Sequence, residues 1–172
     1  KRPKTAVVVG GGFIGLEMAE NLAELGIKTT IVQRSNHLLP TVDCDIASFI
    51  HANFRHHGVQ LLLNTNTNKM SITGEQVSLD LDNGSNLSAD MVVLAVGVTP
   101  ENTLAKKICL ELGVKGAIKV NAKRETSIPD IYAVGDAVEV RHFITDKDSV
   151  ISLAGPANKQ GRIVADNICG LN

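Results

Sequence analysis

A chain of 172 residues, 44% of them hydrophobic, is long enough to bury a full core and to form one α/β domain with a remainder. Its 17 basic residues balance 18 acidic ones, which argues against a nucleic-acid or other polyanion partner. No apolar stretch approaches the length of a membrane span and nothing resembles a signal peptide; Cys44, Cys109 and Cys169 form neither a disulfide framework nor a C-x-x-C pair, so a reducing, cytoplasmic setting is expected.

The first element is an apolar, β-branched run from Lys4 to Val9, which reads as a buried strand. It breaks into Gly10-Gly11-Gly12-Phe13-Ile14-Gly15 and continues as a helix to about Leu25, with Phe13, Leu16, Ala19, Ala23 and Leu25 at helical spacing. Strand, G-x-G-x-x-G turn and helix in that order form a dinucleotide-binding pattern. Gly10 allows the tight bend, Gly12 lets the backbone approach a pyrophosphate, and Gly15 lets the helix pack on the sheet. Free N–H groups at the helix start would face the phosphates. The plainer reading of the same glycines is a tight turn with no ligand.

Gly26 ends this helix, and Lys28 to Val32 is a second strand, completing a right-handed β-α-β unit. Asp43 is placed to cap a helix running to about His57, with an apolar stripe of Ile46, Phe49, Ile50 and Phe54 and a stop at Gly58. Val59 to Leu63 is the third strand of a Rossmann-type half-sheet, and the polar tract Asn64 to Asn68 reads as a loop. The period then alternates. Lys69 to Thr73 and Gln76 to Leu81, divided by Gly74-Glu75 and followed by Asn83-Gly84, read as short antiparallel strands. Met91 to Val96 reads as a parallel strand in the sheet interior.

Beyond the break from Gly97 to Pro100, the pattern gives a short helix containing Leu104, Ile108 and Leu110 and short strands at Ala117 to Val120 and Ile131 to Val134. A last helix runs from about Leu153 to Cys169, with Pro156 in its first turn. The fold class is α/β, a Rossmann-like domain in which a parallel sheet is joined by an antiparallel β-meander.

Three motifs follow one another: Gly10 to Glu17, Leu94-Ala95-Val96-Gly97-Val98-Thr99-Pro100, and Thr126 to Ala137 with its Ile131-Tyr132-Ala133-Val134-Gly135-Asp136 core. Together they resemble the FAD-dependent pyridine nucleotide-disulfide oxidoreductases, over almost the whole chain. The segment Leu153-Ala154-Gly155-Pro156-Ala157-Asn158-Lys159-Gln160-Gly161-Arg162 is similar to the branch that holds coenzyme A-disulfide reductases, their rhodanese-fused relatives, and NADH oxidases and peroxidases. The resemblance implies an NAD(P)H-binding domain over residues 4–123 and the returning part of an FAD-binding domain over residues 124–172. It also implies a fragment, with the FAD domain's own glycine turn and the redox cysteine upstream and a dimerisation domain downstream. No catalytic residue is then expected in this chain, and the full-length protein is expected to be a homodimer. Ile163, Val164 and Ile168 would present an apolar face for a second copy to shield.

Site roles carry over by the same resemblance. Gly10, Gly12 and Gly15 match the pyrophosphate turn. Phe13, with Ile14 beside it, matches an aromatic that covers the flavin side of the nicotinamide pocket, although the bare sequence reads it as a core aromatic at a helix start. Glu17 matches a glutamate near the nicotinamide carboxamide and the flavin; otherwise it is a helix-surface charge. Gly97 matches a glycine at which the strand after the meander approaches the cofactor. Asp136 matches an aspartate that accepts hydrogen bonds from the flavin ribityl chain, with Gly135 permitting the approach, where the bare reading is a strand-end turn. Leu153 and Ala154 match backbone positions that meet the isoalloxazine at a helix N-terminus, whose partial positive charge favours an anionic reduced flavin.

One departure bears on the cofactor. The second strand is expected to end in an acidic residue that binds the adenosine ribose of NAD, yet the chain reads Ile31-Val32-Gln33-Arg34-Ser35. Gln33 can still meet a hydroxyl without repelling a 2′-phosphate, and Arg34 and Ser35 could contact that phosphate. NADPH is therefore expected to be accepted as well as NADH. His51, His56 and His57 lack the i, i+4 spacing of helical metal ligands, so a solvated helix end is expected and no metal site. Cys44 near a helix start reads as an ordinary thiol, and Ser48 and Ser152 lie in no nucleophile elbow.

The function expected is to hold NAD(P)H against FAD, so that hydride passes to the flavin and on to a disulfide, a peroxide or oxygen. The isolated chain should bind nucleotide weakly and turn over nothing. The alternatives are a stand-alone nucleotide-binding or redox-sensing module and a dehydrogenase acting directly on a bound substrate.

Overall fold

The computed structural model describes residues 2–171, which form two compact units, the first ending at Gly97 and the second beginning at Val98. In the first unit β1 (Thr5–Val9), β2 (Lys28–Val32), β3 (Gln60–Leu62) and β7 (Met91–Leu94) make a parallel sheet in the order β3-β2-β1-β7. Helices α1 (Phe13–Glu24) and α2 (Cys44–His56) connect its first three strands, and β4 (Thr67–Thr73), β5 (Gln76–Leu81) and β6 (Asn86–Ala89) form an antiparallel meander.

β1 explains why its sequence is apolar without alternation. Successive side chains of a strand point to opposite faces. Ala6 and Val8 join Ala19, Leu22, Ile31 and Phe54 on the helix side, whereas Val7 and Val9 join Leu79, Leu81 and Ala89 of the meander. With both faces covered, positions 6–9 are all buried and all apolar.

The same logic corrects the reading of β7. Met91 and Val93 pack on the helix-side cluster and Val92 on the meander side, but β7 pairs only with β1 and lies at the edge of the described sheet. Partial cover on both faces, not a second neighbouring strand, accompanies Met91 to Val93, while Leu94 is exposed. Three further differences arise here. Helix α2 faces the core with Ala47, Ile50 and Phe54, leaving Ile46 and Phe49 at 54% and 74% exposure. Asp43 is its N-cap residue but makes no side-chain cap bond. The polar tract is not all loop, since β4 begins at Thr67 and Thr65 is buried.

Asp90 ties the meander to the start of β1. Its Oδ2 accepts the N–H groups of Lys4 and Thr5 at 2.8 and 3.0 Å, its Oδ1 accepts Gln76 Nε2 at 2.9 Å, and its own N–H donates to Thr5 Oγ1 at 3.0 Å.

In the second unit, α3 (Thr103–Lys107) is shorter than expected: Ile108 is its C-cap residue and Leu110 lies beyond it, buried. The strands expected at 117–120 and 131–134 are single bridges, Ile118 with Leu112 and Val138, and Tyr132 with Glu125. These segments cross their neighbours at one residue instead of running beside them. A hairpin of β8 (Val140–His142) and β9 (Lys147–Ser149) was not foreseen; Arg141 braces it through Asp146 and Asp148 at 2.8 and 3.1 Å. Helix α4 (Ala154–Ile168) closes the unit with Pro156 in its first turn, and Ile163 and Ile168 are exposed on it, with Val164 half-buried.

Candidate functional site: a glycine-walled groove and a Gly-Asp turn

In the first unit the chain leaves β1 at Gly10, whose φ of +109° favours glycine and whose missing Cβ would strike the Ala95 carbonyl. Gly15 is packed beneath this bend, and a Cβ there would meet the Gly10 carbonyl oxygen and come within 3.4 Å of Ala95 Cβ. Around Gly12, by contrast, no atom lies within 4 Å of where a Cβ would stand. Two of the three glycines are thus required by the fold, and the third faces open space.

That space is a groove of about 440 Å³ along the carboxyl ends of the strands, lined by Gly10 to Gly12, Gln33 to Ser35, Pro40, Thr65 to Thr67 and Ala95 to Gly97. Helix α1 points its N-terminus there, with Gly12 as N-cap residue, no side-chain cap and no acidic residue in the first turn. The first-turn N–H groups have no intrahelical acceptor, so the helix start can take an anion. Thr67 Oγ1 is also buried without a hydrogen-bond partner among the described residues. An uncapped helix end, an unfilled cradle at Gly12 and an orphaned hydroxyl fit a dinucleotide with its pyrophosphate at the turn.

Gln33 is only 7% exposed, and its amide works inside the protein. Oε1 accepts the Gly11 N–H at 2.9 Å, and Nε2 donates to Ser35 Oγ, which in turn donates to the His37 carbonyl at 3.0 Å. Arg34 is exposed at the groove, the cationic side chain in its lining. Phe13 and Glu17 are not in this groove. They line a second one, about 340 Å³, between α1 and α2 with Glu20, Glu24 and His57. Ile14 is exposed and lines neither.

The lining at Thr65, Asn66 and Thr67 was missed by sequence reasoning, which saw only polarity. The available signal was position, immediately after a strand of a parallel sheet, where such folds bind ligands.

In the second unit Gly135 and Asp136 form a short 3-10 turn, with Gly135 at φ +78° and Asp136 exposed. The Gly135 N–H donates to Gln160 Oε1 of α4 at 2.7 Å, and Gln160 is 5% exposed. Leu153 is the N-cap residue of α4 and Ala154 its first residue; no side chain caps this end and its first turn holds no acidic residue. An exposed carboxylate on a braced turn and an uncapped helix start are the donor and acceptor types a flavin needs.

Among the described residues, no group of three His, Cys, Asp or Glu side chains is placed to hold a metal ion, and no helix is long and apolar enough to cross a membrane. All three cysteines are free and exposed.

Comparison with known proteins agrees with this geometry. The family model "Pyridine nucleotide-disulphide oxidoreductase" matches residues 1–161. The CoA-dependent NAD(P)H sulfur oxidoreductase of Pyrococcus furiosus is 37% identical over 166 residues, which is 95% of this chain and 37% of that protein. The reduced CoADR-RHD protein of Bacillus anthracis superposes with a TM-score of 0.94 at 46% identity, over 99% of this chain and 30% of that one. An engineered water-forming NADPH oxidase, a mutant of the Lactobacillus brevis NADH oxidase bound to NADPH, superposes at 0.91 with 29% identity over 97% of this chain and 37% of that one. The chain therefore spans about a third of the length of the relatives it matches. These relatives bind NAD(P)H, and the family is one of FAD-dependent oxidoreductases. On the matched family model and the shared fold, this chain belongs to the pyridine nucleotide-disulphide oxidoreductase family.

Proposed function

We propose that this chain is the NAD(P)H-binding portion of a longer FAD-dependent oxidoreductase, with residues 4–123 binding the nicotinamide nucleotide and residues 124–172 contributing to the FAD site. The open cradle at Gly12, set at an uncapped helix start within a groove of about 440 Å³ along the carboxyl ends of the strands, carries this reading. When bound, the reduced nucleotide supplies a hydride and FAD receives it, the onward acceptor being a disulfide of the coenzyme A kind, a peroxide or oxygen.

The chain's own part is binding and orientation. The N–H groups that open α1 hold the pyrophosphate and Gly97 leaves room for the nucleotide; Phe13, Ile14 and Glu17 lie outside this groove, and their place on the flavin side of the nicotinamide rests on the family resemblance. In the second segment Asp136 accepts hydrogen bonds from the ribityl chain, Gly135 allows its approach, and the backbone of Leu153 and Ala154 meets the isoalloxazine. The rest of the FAD domain and a second copy complete the enzyme, in a cytoplasmic setting. Alone, the chain turns over nothing.

NADPH is accepted beside NADH. Gln33 places no negative charge at the end of β2, and Arg34 supplies a positive one. The engineered NADPH oxidase carries Ala, Arg and Ser in place of Asp, Ala and Met at three consecutive positions, and Gln33-Arg34-Ser35 has the same order of an uncharged residue, Arg and Ser.

One observation favours a second reading, a stand-alone nucleotide-binding module: every residue lining the groove lies within the first unit. Calorimetric titration with NADH, NADPH and FAD separately tests both. Nucleotide binding without NADPH oxidation, even with added FAD and a disulfide, supports the proposed portion of an enzyme. Failure to bind either nicotinamide nucleotide overturns it. Tight nucleotide binding with no measurable FAD binding when the remainder of the FAD domain is supplied in trans supports the module.

A further inference from the structure

His51 lies on α2, in none of the lining of the nucleotide groove, yet it reaches the groove wall through one backbone residue. Its Nε2 accepts the Leu38 N–H at 3.0 Å. On the other side of the same residue, His37 Nδ1 donates to the Leu38 carbonyl at 2.9 Å. Two imidazoles thus grip one residue, one accepting its N–H and one donating to its carbonyl. Leu38 is completely buried, and a Cβ on Gly11 would stand 2.5 Å from its Cδ2. The next residue, Leu39, donates its N–H to the Gly11 carbonyl at 2.7 Å. Helix α2 is therefore connected through His51, Leu38 and Leu39 to the glycine turn, and the same loop carries Arg34, Ser35 and Pro40 into the groove.

The bond from Leu38 requires an unprotonated Nε2. A protonated imidazole donates at both nitrogens and accepts at neither, so its Nε2–H would oppose the Leu38 N–H. The groups acting on the ring disfavour that proton. Partial burial comes first, followed by Arg55 on its own helix and His37 on the facing loop, and together they hold His51 below the ordinary imidazole value. When the loop lets go, the ring returns toward the ordinary value of about 6.5. Acid therefore favours the released loop, from about that pH downward.

We propose that His51 is a positioning residue for nucleotide binding: unprotonated, it holds the loop of residues 34–40 against the glycine turn, and protonated, it releases the loop and weakens the nucleotide site. The inference rests on the reading of the groove as the NAD(P)H site.

The test is calorimetric titration of the chain with NAD+, which has no group titrating between pH 5.5 and 7.5, together with amide hydrogen exchange at Leu38 and Leu39 without nucleotide. Three proteins are compared: wild type, His51→Gln, whose side-chain oxygen can accept without titrating, and His51→Ala. The wild type should bind about three- to tenfold more weakly at pH 5.5 than at pH 7.5, with a matching loss of exchange protection beyond the intrinsic pH effect. His51→Gln should hold its affinity across the range, and His51→Ala should be weak throughout. A wild type that follows His51→Gln at every pH, in affinity and exchange alike, overturns the inference and leaves the site reading intact. Absence of NAD+ binding at every pH overturns the site reading and the inference with it.

Discussion

Gln160 accepts the Gly135 N–H with its Oε1 at 2.7 Å, and in the other unit Gln33 does the same for Gly11 at 2.9 Å. In each case a buried amide braces the glycine of a tight turn, because a bent backbone leaves an N–H that neither helix nor sheet can satisfy. Replacing Gln160 with Leu should leave that N–H unsatisfied and cost about 1–3 kcal/mol in denaturant unfolding. Gln160→Glu, which keeps an acceptor, should cost less at pH values that protonate the carboxyl.

The two kinds of glycine should separate cleanly. Gly15→Ala sets a methyl against the Gly10 carbonyl oxygen and should destabilise by about 1–3 kcal/mol, with lost nucleotide binding as a by-product. Gly12→Ala meets no atom within 4 Å, so it should cost under about 1 kcal/mol, mainly at the helix cap. Its affinity for NADH and NADPH should nonetheless fall about tenfold or more, as read by calorimetry beside thermal unfolding.

Nucleotide choice should follow the end of β2. Gln33→Glu retains an acceptor for the Gly11 N–H while adding negative charge, and the ratio of NADPH to NADH affinity should fall about tenfold. Arg34→Ala should weaken NADPH by a similar factor and leave NADH within about twofold. Equal losses for both nucleotides would contradict a 2′-phosphate contact.

Asp90 should make the first unit acid-sensitive. The Gln76 amide, followed by the backbone N–H groups of Lys4 and Thr5, holds its carboxyl well below the usual carboxylate range. With a depressed folded-state value, its contribution is complete above the unfolded value of about 3.9 and is lost as pH falls from there through the folded value. Unfolding midpoints of the wild type should drop steeply below about pH 4. Asp90→Asn should be less stable at pH 7 and show a shallower drop.

How much of this was legible in the sequence depends on what each stretch packs against. β2 was read at its observed limits, Lys28–Val32, and β1 and α1 to within a residue, because an element covered on its faces writes its period directly. Ile46 and Phe49 misled because apolarity marks helix surface as readily as core. In the second unit, Ile118 pairs by single bridges with two segments, which leaves no run to detect. The β8–β9 hairpin was hidden because apolar Phe143 and Ile144, both exposed, occupy the tip where turn residues are expected. Within the groove the glycines and Gln33-Arg34 were legible. The grip of His37 and His51 on Leu38 was not, since it joins a loop to a helix through backbone atoms that no residue pattern encodes.

The close approach of Gly10 to Ala95 also sets an order of events during synthesis. Val9 and Ala95 are joined by a backbone hydrogen bond of 2.8 Å, and the bend after Val9 is wedged against the Ala95 carbonyl. The two halves of this wall lie at opposite ends of the first unit, so the contact is among its most distant in sequence. A ribosome delivering the chain from its N-terminus presents the glycine motif early but finishes the wall only when β7 has emerged. Until then the nascent chain carries the glycine pattern without the groove, and a ligand of that groove can stabilise the unit only after its final strand has docked.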